Sequence, residues 1–141
     1  MSHDHNMPDG FSVREGSLFC EAVSADSLAQ RFATPLYVYS QTAITDAFAE
    51  WTDAFGGTEH LICFAVKANS NIAILKLLVS LGSGFDIVSG GELRRVLAAG
   101  GDAGKVVFSG VGKSAAEIEL ALTAGIRCFN VCLLYTSPSP R

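Results

Sequence analysis

The sequence predicts an α/β fold built on a parallel sheet, and three observations carry that prediction. From Leu61 onward, short and nearly all-apolar runs centred near positions 64, 87, 107 and 128 recur at intervals of roughly 20–23 residues. Between these runs lie segments whose apolar residues fall at helical spacing. The composition agrees: 49% of the 141 residues are hydrophobic and 17% are charged, and the mean hydropathy is +0.33. That is too apolar for a disordered segment, and it suits strands buried on both faces, as parallel sheets require. One strand, two short loops and one helix fill a period of this length.

The elements follow in order. Residues 11–23 alternate weakly and predict one or two strands. A helix is expected over 24–32, a strand over 35–39, and a second helix over 42–55, closed by Gly56 and Gly57. Trp51 on that helix is expected as a core or capping residue. Residues 61–66 (LICFAV) are a strand and 67–70 its loop. A helix over 71–81 sets Ile72, Leu75, Leu78 and Val79 on one face, with Gly82 as its stop. Residues 85–88 form the next strand and 89–91 its loop, followed by a helix over 92–99 with Leu93, Val96 and Leu97 on one face. A strand over 105–108 leads into the loop 109–113. Ser114 and Glu117 then have the spacing of a capping box, which opens a helix to Ala124. Residues 126–131 are the last strand. Four βα units admit two topologies, an open doubly wound sheet or a (β/α)8 barrel that the chain would follow about halfway round.

After Val131 the pattern breaks. A loop and helix are due, but the chain reads CLLYTSPSPR, and Pro138 and Pro140 forbid a helix there. Residues 132–141 are therefore expected to be foreign to the fold, as in a truncated or frameshifted reading frame.

A net charge of −4 and a pI near 5.2 argue against a nucleic-acid partner. No apolar run approaches the roughly 18–20 residues that span a bilayer. The first ten residues lack a basic region followed by an apolar core, so no secretory signal is expected. Cys20, Cys63, Cys128 and Cys132 form no CxxC pair, which disfavours a disulfide framework or a metal site. His3 and His5 are expected in a solvated terminus and not at a metal. These readings place the protein in a reducing cytoplasm, away from membranes.

In parallel βα architectures the chemistry sits where strands end and loops emerge. Lys67 follows the strand 61–66 directly, and apolar surroundings would favour its neutral, nucleophilic amine; a surface lysine flanking a strand is the alternative. Asp86 lies inside the apolar run FDIV, where an unpaired carboxylate is costly, so a partner is expected, with Lys67 the natural candidate. A structural salt bridge or a solvated rim would satisfy it equally. Glu92 is either a site acid or a first-turn acid favoured by the helix dipole. The loop 109–114 (SGVGKS) follows a strand and ends in Gly-Lys-Ser, but position 107 is valine where a phosphate loop needs glycine. It is expected to shape the mouth of the sheet.

Together PLYVY (35–39), FAVKANSN (64–71), GSGFDIVSGGEL (82–93), VVFSGVGKS (106–114) and AGIRCFNV (124–131) resemble the diaminopimelate decarboxylases, fold-type III pyridoxal phosphate (PLP) enzymes. The resemblance runs from about Phe11 to Val131. Alanine racemases look like VKANAYGHG at the lysine, and ornithine decarboxylases look like ASxxEI where this chain has VSGGEL. Ala33 departs from the family's glycine, and Cys132 stands where the family continues with Glu-Ser. The resemblance implies an alanine-racemase-like (β/α)8 barrel with a second β-domain, and a homodimer with shared active sites. Residues 1–34 would belong with the β-domain and 35–131 with the first half of the barrel. Lys67 matches the lysine that binds PLP, Asp86 an aspartate close to it, Ala65 a small residue beneath the cofactor ring, and Glu92 a further acid near the site. The implied reaction converts meso-2,6-diaminopimelate to L-lysine and carbon dioxide, the last step of lysine synthesis. The family's phosphate cradle and its acid facing the pyridine nitrogen come later than residue 141, so this stretch alone is expected to be inactive. A decarboxylase of ornithine, arginine or carboxynorspermidine, and a PLP-binding module without catalysis, are the alternatives.

Overall fold

A computed structural model of the chain describes residues 7–131. The chain forms two compact units that divide between Ala54 and Phe55. The tail 132–141 with Cys132, and His3 and His5, lie outside the described residues.

In the first unit, β1 (Phe11–Arg14) and β2 (Ser17–Cys20) form an antiparallel hairpin in which Phe11 pairs with Cys20 and Arg14 with Ser17. Its two-residue turn, Glu15 and Gly16, has φ of 50° and 81°, the mirror-image turn that matches the twist of the flanking strands. A short β3 (Val23–Ser24) adds to β2 and leads into α1 (Ala25–Phe32), where the Ser24 side chain accepts from the Ser27 amide. The helix α2 (Gln41–Phe55) begins under a double cap. Ser40 Oγ accepts from the Ala43 amide at 3.0 Å and donates to Glu21 Oε1 at 2.8 Å, which also accepts from the Thr42 amide at 2.8 Å. These donors hold the Glu21 carboxyl below its ordinary range.

Two expectations fail in this unit. Residues 35–39 form no strand: among the described residues no partner strand supplies the ladder bonds a strand needs, and Tyr37 is 86% exposed. Trp51 is exposed, not a core residue, because no residue of α2 is fully buried.

The second unit alternates strand and helix as the periodicity predicts. It comprises β4 (Cys63–Ala65), a 3₁₀ turn (Val66–Ala68), α3 (Ile72–Ser80), β5 (Gly84–Ile87), α4 (Gly90–Ala98), β6 (Val106–Phe108), α5 (Ala115–Ala124) and β7 (Cys128–Phe129). The four strands are parallel and neighbours in chain order, β4-β5-β6-β7. With right-handed crossovers that order puts every helix on one side. A doubly wound sheet reverses its strand order near the middle; this one does not, and its winding is that of a (β/α)8 barrel.

The register divides the sheet into two faces. Phe64, Phe85 and Val106 share one row, and Ile87, Phe108 and Phe129 another. This face meets the helices: Val66, Phe85, Ile87, Val106 and Phe108 are fully buried, as are Leu75, Leu93, Val96 and Ala121. Each large side chain buried there contributes about 1.5–3 kcal/mol. Ile72 and Leu97, expected on core faces, are more than a third exposed, and Ile74 takes the inner position on α3 instead. Gly84 is set by close approach, since a Cβ there would stand 2.6 Å from the Lys105 carbonyl oxygen and 2.8 Å from Cys63 Sγ.

Each helix start is closed by a side chain. Asn71 caps α3 and Ser89 caps α4. Ser114 and Glu117 form the expected capping box on α5, which ends at Gly125 with φ 74°.

Candidate functional site

The opposite face of the sheet carries Ala65, Asp86, Val107 and Cys128 in one row, and among the described residues no helix of this unit covers it. Ala65, Asp86 and Val107 are half-buried and Cys128 is exposed. This is the face that lines the interior of a barrel, and the strand ends on it are where βα folds place their chemistry.

Lys67 lies in the 3₁₀ turn two residues after Ala65, and Ala65 is the direct register partner of Asp86. Register and chain position thus place these three residues at the ends of neighbouring strands. Lys67 is exposed, as in the surface-lysine alternative and not in apolar surroundings; its side of the sheet has no covering layer among the described residues. It makes no hydrogen bond or ion pair among them. The partner of Asp86 is not Lys67: Asp86 Oδ1 accepts the Ser109 hydroxyl, and Ser109 Oγ in turn accepts from Asn130 Nδ2 at 3.0 Å.

Glu92 stands apart from this group in its contacts. Its Oε2 accepts the Val88 amide at 2.7 Å while its own amide donates to Ser89 Oγ at 3.3 Å. The carboxylate thereby fixes the turn from β5 into α4.

The loop after β6 shows what became of the phosphate-loop resemblance. Lys113 is 7% exposed. Its ammonium donates to the carbonyls of Gly110 at 2.6 Å and Asn130 at 2.8 Å, and it lies 5.5 Å from the centre of the Phe108 ring. It fastens the loop after β6 to the loop after β7. Gly110 comes so close to β5 that a Cβ would run into the Val88 carbonyl. Glu117 ties the helix starts together: its Oε1 accepts the Gly90 amide at 2.8 Å, and its Oε2 accepts the Ser114 amide at 3.0 Å and hydroxyl at 2.8 Å. These donors hold its carboxyl below the ordinary range, the Gly90 amide most of all.

Cys63 begins β4 on the same face as Asp86. Burial pushes its thiol pKa up, and the negative charge of Asp86 adds to that. Cys20, Cys63 and Cys128 are free thiols, and among the described residues no cluster of three or more His, Cys, Asp or Glu has metal-binding geometry. No described helix is long and apolar enough to cross a membrane.

Ser109, Lys113 and Asn130 were not singled out from the sequence as site residues. Ser109 directly follows β6 and Asn130 directly follows β7, 21 positions apart, so one strand-to-strand period brings them to matching places; the strand expected over 126–131 enclosed Asn130 and hid that match.

A diaminopimelate decarboxylase of Neisseria meningitidis serogroup B is 64% identical over 115 residues, which are 82% of this chain and 28% of that protein. A diaminopimelate decarboxylase of Pseudomonas fluorescens is 55% identical over 123 residues, 87% of this chain and 30% of that one. The crystal structure of diaminopimelate decarboxylase from M. jannaschii in co-complex with L-lysine superposes with a TM-score of 0.83 at 38% identity, covering 88% of this chain and 30% of that chain. The chain thus spans less than a third of the length of the relatives it matches. The family described as pyridoxal-dependent decarboxylase, pyridoxal binding domain, matches residues 41–133. That is well over half of the chain, and the chain belongs to that family.

Proposed function

We propose that this chain is the pyridoxal-binding portion of a diaminopimelate decarboxylase, a PLP-dependent lyase that forms L-lysine and carbon dioxide from meso-2,6-diaminopimelate. The observation that carries the proposal is 64% identity over 115 residues with a protein of that name. The placement of Lys67, Ala65 and Asp86 at neighbouring strand ends supports it.

The residues present suit PLP. Lys67 offers a primary amine uncommitted to any described residue, Ala65 leaves room on the helix-free face, and Asp86 presents a carboxylate fixed by Ser109. When bound, PLP supplies an electron sink for the bond to the departing carboxylate. Lys67 would hold the cofactor covalently through Nζ. Ala65 would sit beneath its ring, where a larger side chain would take up the space. Asp86 would set a negative charge at the adjoining strand end, steadying positive charge on the amine or the cofactor edge. Glu92 would act on the site through the turn it fixes at Val88. The proposal also takes residues 1–34 with a β-domain, and the working protein as a cytoplasmic homodimer.

The test uses the full-length protein that contains this chain, loaded with PLP. Carbon dioxide release is measured from diaminopimelate and from ornithine side by side. The proposal expects diaminopimelate to be the better substrate and Lys67→Ala to abolish turnover. Preference for ornithine would overturn the substrate assignment.

A further inference from the structure

The chain Asn130–Ser109–Asp86 joins the ends of three consecutive strands by side-chain hydrogen bonds alone. Its direction is forced by what each group can do. A carboxylate only accepts, so the single hydroxyl proton of Ser109 goes to Asp86. The remaining capacity of Ser109 Oγ is for accepting, so Asn130 must present its NH2 and not its carbonyl. One proton is thus aimed at one oxygen of Asp86, and the other oxygen is left for whatever lies over the helix-free face.

The backbones at both joints are also pinned. The Ser109 amide donates to the Ile87 carbonyl at 2.8 Å, and the Asn130 amide to the Phe108 carbonyl at 3.0 Å. The Asn130 carbonyl accepts from buried Lys113. Satisfying stranded polar groups does not account for this arrangement. Asn130 is exposed and Ser109 is only half-buried, so water would serve both. What the contacts add is orientation.

We propose that Ser109 and Asn130 are positioning residues that aim the Asp86 carboxylate at the cofactor edge. The inference rests on the functional reading above, in which Asp86 adjoins PLP. Neither residue touches the cofactor in this account; each acts through Asp86.

The experiment uses the full-length PLP-loaded protein and the variants Ser109→Ala, Ser109→Thr, Asn130→Ala and the double alanine variant. Three quantities are read: the rate at which PLP is lost on dialysis, the visible circular dichroism of the bound cofactor, and the side-chain amide resonance of Asn130 in cofactor-free protein. The loss of one such bond predicts PLP lost about 2- to 10-fold faster in Ser109→Ala, with an altered cofactor dichroism and a shifted Asn130 resonance. Ser109→Thr keeps the hydroxyl and restores both cofactor readouts. The double variant is no worse than Ser109→Ala, because the Asn130 contact works only through Ser109. Wild-type retention and dichroism in Ser109→Ala would overturn the inference while leaving the functional reading standing. Additive losses in the double variant would overturn it too. A wild-type protein that takes up no PLP would overturn both.

Discussion

Glu117 closes two helix starts with one carboxylate, and removing it tests how the loops around the strand ends are held. In Glu117→Ala the α5 capping box loses its glutamate half, the bonds from the Ser114 amide and hydroxyl, while Ser114 Oγ still accepts the amide of residue 117; the cost is about 0.5–1 kcal/mol. The Gly90 amide loses a charge-assisted bond of 2.8 Å, at about 1.5–3 kcal/mol. The carboxylate is half-buried, so the lower end applies and the sum is about 2–2.5 kcal/mol. Glu117→Gln keeps a single acceptor oxygen, which can serve Gly90 or Ser114 but not both, and should lose about half as much. Urea unfolding reads the global loss, and amide exchange at Gly90 reads the local one, expected to quicken about 10-fold or more. The effect is pH-dependent. Because the folded carboxyl titrates below its ordinary 4.5, its contribution is complete above that value and is lost as the pH falls through the folded value. Wild type and Glu117→Gln should therefore converge in acid. An alanine variant within 0.5 kcal/mol of wild type, with unchanged exchange at Gly90, would refute the reasoning.

Three further outcomes follow from the geometry. Ala33 holds φ 62° and ψ 179°, a region that costs a residue with a Cβ about 1–3 kcal/mol. Ala33→Gly should stabilise the protein by about 1 kcal/mol after the added unfolded-state entropy, and an unchanged urea midpoint would contradict that. Gly110→Ala puts a methyl against the Val88 backbone and should destabilise by about 1–3 kcal/mol; a variant as stable as its parent would mean the two strand ends lie farther apart. Asp86→Asn removes a charge that holds the Cys63 thiol up, so Cys63 should alkylate faster with iodoacetamide at fixed pH. An unchanged rate would place Asp86 too far from Cys63 for that influence.

The parallel alternation was legible because strands buried under helices leave unbroken apolar runs, and because Ser114 and Glu117 encode their cap within four residues. The winding was not legible in the runs themselves, which both candidate topologies share; the family resemblance implied the barrel, and the strand order agrees with it. Residues 35–39 have the composition of a strand, but composition does not supply a partner. At the candidate site, Lys67 and Asp86 could be picked out because each sits in or beside an apolar run, whereas Ala65 came only from the family resemblance. The partner of Asp86 could not, because a serine in a loop 23 residues away carries no local mark. The Gly-Lys-Ser of the loop after β6 looks like an anion site, but Val107 argues against a phosphate loop, and the Lys113 ammonium is in fact spent on two carbonyls. Glu117 reaching Gly90 is a tertiary contact across 27 residues that nothing within α5 announces.

The central claim is that one amine of this chain carries the cofactor. Borohydride reduction of the PLP-loaded full-length protein, followed by peptide mapping, reads that directly. The account predicts the pyridoxyl group on Lys67, in the peptide containing AVKANSN. Its appearance on Lys76, Lys105 or Lys113, with Lys67 unmodified, would contradict it.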